Sequence, residues 1–199
     1  MNDQKLLLVG CGILKKEIRC LIEKNQWPVE AIFLNSALHV DFDQLGRSLT
    51  SVLGAHHERK IIVFYGCCHP LMDQMIEKAA AFRTIGQNCV DILLGPTVFT
   101  QELTQGAFFL IEDWAQRWDE IALKVSGNNP KGLRYIFQCH HTYLLALRTP
   151  CSGDFSDQAE KVAVMVGLPL RWMDVSLDRL ESILRTTIMR KMEEASCQK

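Results

Sequence analysis

Short apolar runs alternate along this chain with amphipathic stretches of helical period. Lys5 to Gly10, Val29 to Leu34 and Ile61-Ile62-Val63-Phe64-Tyr65 read as strands, the last covered on both faces because no polar residue interrupts it. Between them, Leu14, Ile18, Leu21 and Ile22 line one face of a helix over 14–24, Pro28 closes that unit, and a second helix spans Asp41 to Leu53. Pro70 suits the start of a helix over 71–81 carrying Leu71, Met75, Ile76 and Ala79 on one side. Phe82 to Ile85 is the fourth strand. The run Cys89-Val90-Asp91-Ile92-Leu93-Leu94 has two readings, a buried strand or a short helix. The helix is preferred, since a doubly covered strand would bury Asp91 unpaired.

The second half continues the alternation: helices over 97–103 and 113–125, a strand over 108–111, then the loop Ser126-Gly127-Asn128-Asn129-Pro130. A helix to about His140, a strand Tyr143 to Leu147, a helix Ser156 to Val166, a strand Leu168 to Trp172 and a helix Leu177 to Arg190 follow. Trp114 and Trp118, four residues apart, read as core. Such alternation predicts an α/β fold: an open, mostly parallel sheet with helices on both faces, in a single domain over 1–199, with a second lobe from about 127 as the alternative.

Composition narrows the function classes. In 199 residues, Lys+Arg 22 against Asp+Glu 23 gives a formal charge of -1, so there is no basic footprint for nucleic acid. No apolar run approaches the roughly 20 residues of a membrane span, and Met1 to Lys5 leads straight into a strand without a secretory leader, which points to the cytoplasm. Eight cysteines in a chain of this size and class read as free thiols and not as a disulfide framework. Cys20 and Cys139, on helices, read as core, and Cys197 as incidental.

The remaining cysteines gather where ligands bind. Cys11 follows the first strand, Cys67 and Cys68 follow the third through Gly66, and Cys89 opens a helix whose amide groups would lower its pKa. In an open sheet with the first, third and fourth strands adjacent, these loops meet at the carboxyl edge. Sulfur ligands there suit zinc, or iron in an iron–sulfur cluster, with His69 as a nitrogen ligand. The candidate metal site is therefore Cys11, Cys67, Cys68, Cys89 and His69. The alternative is a metal-free thiol enzyme or methyl-transfer accessory, with Cys68 or Cys89 as nucleophile and His69 as base. No phosphate loop, nucleophile elbow or zinc-protease helix motif occurs, and Val9-Gly10-Cys11-Gly12 lacks the glycine pattern of a dinucleotide turn.

Five blocks together resemble an archaeal and bacterial family catalogued as domain of unknown function 1638. They are Cys11-Gly12-Ile13-Leu14-Lys15-Lys16-Glu17-Ile18, the stretch from Phe33 to Asp43, Tyr65-Gly66-Cys67-Cys68, Asn88 to Gly95, and Ile111-Glu112-Asp113-Trp114. The resemblance implies family cysteines at Cys11, Cys68 and Cys89. His69 stands where the family pattern has glycine, and Asn88 where it has aspartate. It further implies a neighbourhood of corrinoid-dependent methyltransferases, so the expected partners are such enzymes and the expected function is a metal or iron–sulfur protein serving corrinoid-linked methyl-group metabolism, with a bound corrinoid as a weaker inference.

Overall fold

Among the described residues every strand pairing is parallel, as strands joined through helices require, but the strands form two sheets instead of one. The computed structural model describes residues 5–127 and 129–197. The first sheet holds β1 (Leu6–Cys11), β2 (Val29–Leu34), β3 (Ile61–Phe64) and β4 (Phe82–Arg83) in the order β2-β1-β3-β4. In the second, β5 (Ala107–Ile111), β6 (Tyr143–Arg148) and β7 (Leu170–Asp174) lie in sequence order. The direction of strand order reverses on either side of β1. Its carboxyl end and that of β3 therefore bound a crevice of the kind that holds ligands in open α/β sheets.

Helices α1 (Lys15–Asn25), α2 (Phe42–Ala55) and α3 (Met72–Lys78) connect the strands of the first sheet. The expected apolar face of α1 is the buried one, with Ile18 and Leu21 in the core. Two short helices, α4 (Cys89–Leu94) and α5 (Pro96–Thr104), lead to the second sheet, so the segment after Asn88 is helical. Asn88 explains that start: its side-chain oxygen accepts the backbone N–H groups of Val90 and Asp91 at 3.0 and 2.9 Å. Asp91 is buried even so, with one carboxylate oxygen accepting the Gln87 N–H at 2.7 Å.

The single helix expected over 113–125 is two, α6 (Glu112–Gln116) and α7 (Trp118–Ser126), broken at Arg117. Arg117 is drawn sideways, donating to Asn35 Oδ1 at 2.6 Å and Ser36 Oγ at 3.0 Å in the loop after β2. After α8 (Pro130–His140) and β6 comes α9 (Ser156–Val166), and β7 begins two residues later than its apolar run suggests. The cause is local: Gly167 adopts a left-handed conformation and the Leu168 N–H still bonds to the Ala163 carbonyl, so Leu168 belongs to the helix terminus.

Alternation along β5 and β6 joins the two sheets. Ala107, Ile111, Tyr143, Leu145 and Leu147 share a core with the first sheet and with Leu180, Leu184 and Ile188 of the closing helix α10 (Asp178–Cys197). Leu110, Leu144 and Ala146, on the other face, pack in a second core with Trp118, Phe137, Val162 and Val166. One face of the second sheet is thus a wall of the first core. Trp118 is buried there as expected, while Trp114 is half-buried and reaches a cleft between the sheets. No helix of the described residues is long and apolar enough to cross a membrane.

Candidate functional site

The carboxyl end of β1 and the loops after β3 and β4 bring three thiols together. Cys11, Cys68 and Cys89 are all buried, at 3%, 6% and 5% exposure, so their charges are poorly screened and each feels the others. The Cys89 thiol hydrogen-bonds Cys11, and the Ile13 backbone N–H donates to the same Cys11 sulfur. These bonds hold the Cys11 thiol below its ordinary value against the opposing effect of burial. Cys89 moves the other way: the same bond to Cys11, then burial, push its thiol well above the ordinary range. Its place at the start of α4 does not lower it, because six residues of helix supply less than the thiol pair and the dry surroundings take away. Burial pushes the Cys68 thiol up to about 11.

Tyr65 completes the cluster. It ends the buried run of β3, its hydroxyl has no partner among the described residues, and burial followed by the charges of Cys11, Cys89 and Cys68 raises its pKa. The phenol is a polar group the pattern of hydrophobic residues concealed, although it stands directly before Gly66 and the cysteine pair.

Cys67 and His69 face elsewhere. Cys67 is exposed, and its backbone N–H donates to the Gln87 carbonyl at 2.7 Å. His69 accepts the Leu71 N–H on Nδ1 at 3.0 Å and meets Phe42 edge to face. Both line an open cavity of about 360 Å³ together with Cys68, His39 and Asn88. Beside it, sharing His39 and Asn88, lies a cleft of about 240 Å³ with Cys11 and Cys89 on its wall and Phe99, Phe108, Phe109 and Trp114 around it.

Cys20 and Cys139, read from the sequence as core, are exposed. Cys20 bonds to the thiol of Cys151, which burial first and this contact second push up to about 12. The side chain of Cys197 lies outside the described residues. A polar seam unmarked in the sequence lies next to the cluster. Lys15 Nζ meets Asp113 at 3.2 Å, Lys16 Nζ meets Glu112 at 2.6 Å, and Ser36 donates to Asp113. Buried Glu17 accepts the Thr149 hydroxyl at 2.8 Å, and burial raises its pKa. The seam ties the carboxyl ends of the two sheets together. Its only signal in the sequence is a charged triplet, Lys15-Lys16-Glu17, shortly after β1, and a charged pair, Glu112-Asp113, directly after β5.

Buried thiols make the protein alkali-sensitive. A thiol raised on folding contributes stability below the unfolded value of 9.0, and that contribution is lost as pH rises through the folded value. For Cys68 the window is pH 9 to 11, and the two units correspond to about 3 kcal/mol. Urea midpoints are expected to fall steadily across that window, and less steeply in Cys68→Ala. An unchanged slope in the variant would assign the effect to other groups.

Fold and site define the class: a parallel α/β protein with a buried thiol cluster at the point where its strand order reverses. The model of the family described as "Protein of unknown function (DUF1638)" matches residues 33–184, and the chain belongs to that family. No curated protein and no solved structure matches it.

Proposed function

We propose that this is a thiol-dependent protein in which Cys11 is the reactive sulfur and Cys89 its proton partner. The reading is supported by the position of Cys11 and Cys89, both buried on the wall of a cleft, and by the direction in which Cys89 and the Ile13 N–H move the Cys11 thiol, below its ordinary value. Cys68 and Cys89 are held as thiols by burial and by their neighbours, which moves the nucleophile to Cys11. Attack by the Cys11 thiolate on a soft electrophilic carbon forms a C–S bond, and the leaving group departs with the electron pair of the bond that breaks. Cys89 keeps its proton throughout. Transfer of a methyl group has this form, and a corrinoid-dependent methyltransferase is a partner of suitable chemistry. The cleft admits a small transferred group and not a whole corrin ring, so the corrinoid would sit on the partner.

The second reading is a zinc ion or an iron–sulfur cluster held by Cys11, Cys68 and Cys89. One observation favours it: the Tyr65 hydroxyl, buried without a partner beside three thiols, is a group that a cation would satisfy. The donor chemistry suits a soft ion, but no group of three or more His, Cys, Asp or Glu side chains among the described residues is placed to hold one, so the thiols would have to move. Cys67 and His69 belong to this reading only through the neighbouring cavity.

Mass-spectrometric mapping of limited alkylation with iodoacetamide at pH 7 tests the first reading. Cys11 is expected to react before the exposed Cys20, Cys67 and Cys139. If it lags behind all three, Cys11 is not the nucleophile. Element analysis of protein purified without oxygen decides the second: stoichiometric zinc or iron that is lost in Cys11→Ser, Cys68→Ser and Cys89→Ser alike would favour the metal.

A further inference from the structure

The cleft beside Cys11 has a chemical character of its own. Its aromatic wall, Phe99, Phe108, Phe109 and Trp114, is joined by Leu103, which is 48% exposed at the rim. None of the residues lining it is Lys, Arg, Asp or Glu. Its two imidazoles are uncharged at neutral pH, since burial lowers the pKa of His39 and, together with the charge of His140, that of His141. Of the charges next in sequence to the cleft residues, Asp113 is bonded by Lys15, Ser36 and Arg117, Glu112 by Lys16, Glu102 accepts the Tyr143 hydroxyl and Asp91 accepts the Gln87 N–H. An anionic ligand would leave water for a wall that offers it no countercharge, whereas an apolar one exchanges water for aromatic surface.

Volume limits the ligand as well. A dry cavity of about 150 Å³ takes a benzene ring, and drug-sized sites begin near 300 Å³. At about 240 Å³, this cleft has room for one or two rings or a short acyl chain.

We infer that the cleft receives an uncharged, predominantly apolar group of one or two rings and presents it to Cys11. The inference rests on the reading of Cys11 as the reactive sulfur, and it names the class of molecule on which that sulfur acts: a neutral apolar compound whose electrophilic carbon lies at the end nearest the β1 terminus. Anionic molecules of the same shape are rejected by desolvation and by the charge on Cys11.

Calorimetric titration with a matched set of naphthalenes tests this. 2-Naphthamide is expected to bind, and 2-naphthoate to bind at least tenfold more weakly. Leu103→Asp, at an exposed rim position where folding is not at stake, is expected to weaken the amide at least tenfold. Leu123→Asp, at a comparably exposed leucine that lines a different cavity, is expected to leave it unchanged. Bound amide is also expected to slow iodoacetamide labelling of Cys11. Failure of the amide to bind, equal binding of the naphthoate, or indifference to Leu103→Asp would overturn the inference. Cys11→Ser separates it from the reading beneath it. Amide binding retained in that variant, with Cys11 of the unaltered protein slow to alkylate, removes the thiol reading but leaves the cleft's selectivity; rapid alkylation without amide binding does the reverse.

Discussion

Gly66→Ala is expected to destabilise the protein by about 3 kcal/mol or more, the upper end of what overpacking usually costs. A Cβ at Gly66 would fall against the Gln87 carbonyl and 2.5 Å from Asn88 Cα, all backbone, so no side chain can rotate out of its way. The contact is a crossing of chains. The loop leaving β3 passes directly over the loop leading into α4, and the Cys67 N–H bonds to the Gln87 carbonyl at 2.7 Å. Prising them apart would break this bond and move Cys68 on one strand exit away from Cys89 on the other. Denaturant melts would show the loss, and a rise in the reactivity of Cys68 would show the separation. Gly54→Ala is the control, because a Cβ there meets nothing within 4 Å and the residue lies in α2, where alanine is the better helix former by about 1 kcal/mol. If Gly66→Ala melts with the unaltered protein, the close approach is not a constraint.

The local order of the first sheet was legible because its elements are short, strongly periodic and bounded by glycine and proline. The placing of Cys11, Cys68 and Cys89 at one edge followed from strand adjacency, and the sheet order β2-β1-β3-β4 supplies that adjacency. Other features depend on contacts far apart in the chain. That β5 pairs with β6 and leaves β4 at an edge cannot be read from periodicity, which describes one strand at a time. The break at Arg117 comes from Asn35 and Ser36, more than 80 residues earlier. Cys20 reads as core because it sits on an amphipathic helix, but it falls on the edge of the buried stripe, one turn beyond Glu17 and against Cys151. Tyr65 was absorbed into a hydrophobic run because its ring is apolar and only the hydroxyl at its tip is not.

The proton on the thiol pair is the finest detail of the site, and Cys89→Ala is expected to expose it. In the folded protein the largest influence lowering the Cys11 thiol is the hydrogen bond from Cys89, and the largest opposing it is burial. Removing the donor leaves burial in command, with only the Ile13 N–H and the more distant Arg117 charge still favouring the anion. The pH profile of Cys11 alkylation is therefore expected to move to higher pH, and on its rising limb the reaction slows about tenfold for each unit of that displacement. Serine at the same position restores a donor of nearly the same size, so Cys89→Ser is expected to hold the profile near that of the unaltered protein. A purely structural role for Cys89 makes the opposite distinction: alanine, as a small apolar residue in a fully buried position, would be tolerated better than a hydroxyl, at a difference of about 1 to 3 kcal/mol in stability. Alkylation profiles of the two variants, taken beside their melting curves, separate these cases. Coincident profiles for Cys89→Ala and the unaltered protein would mean that Cys11 owes nothing to its partner.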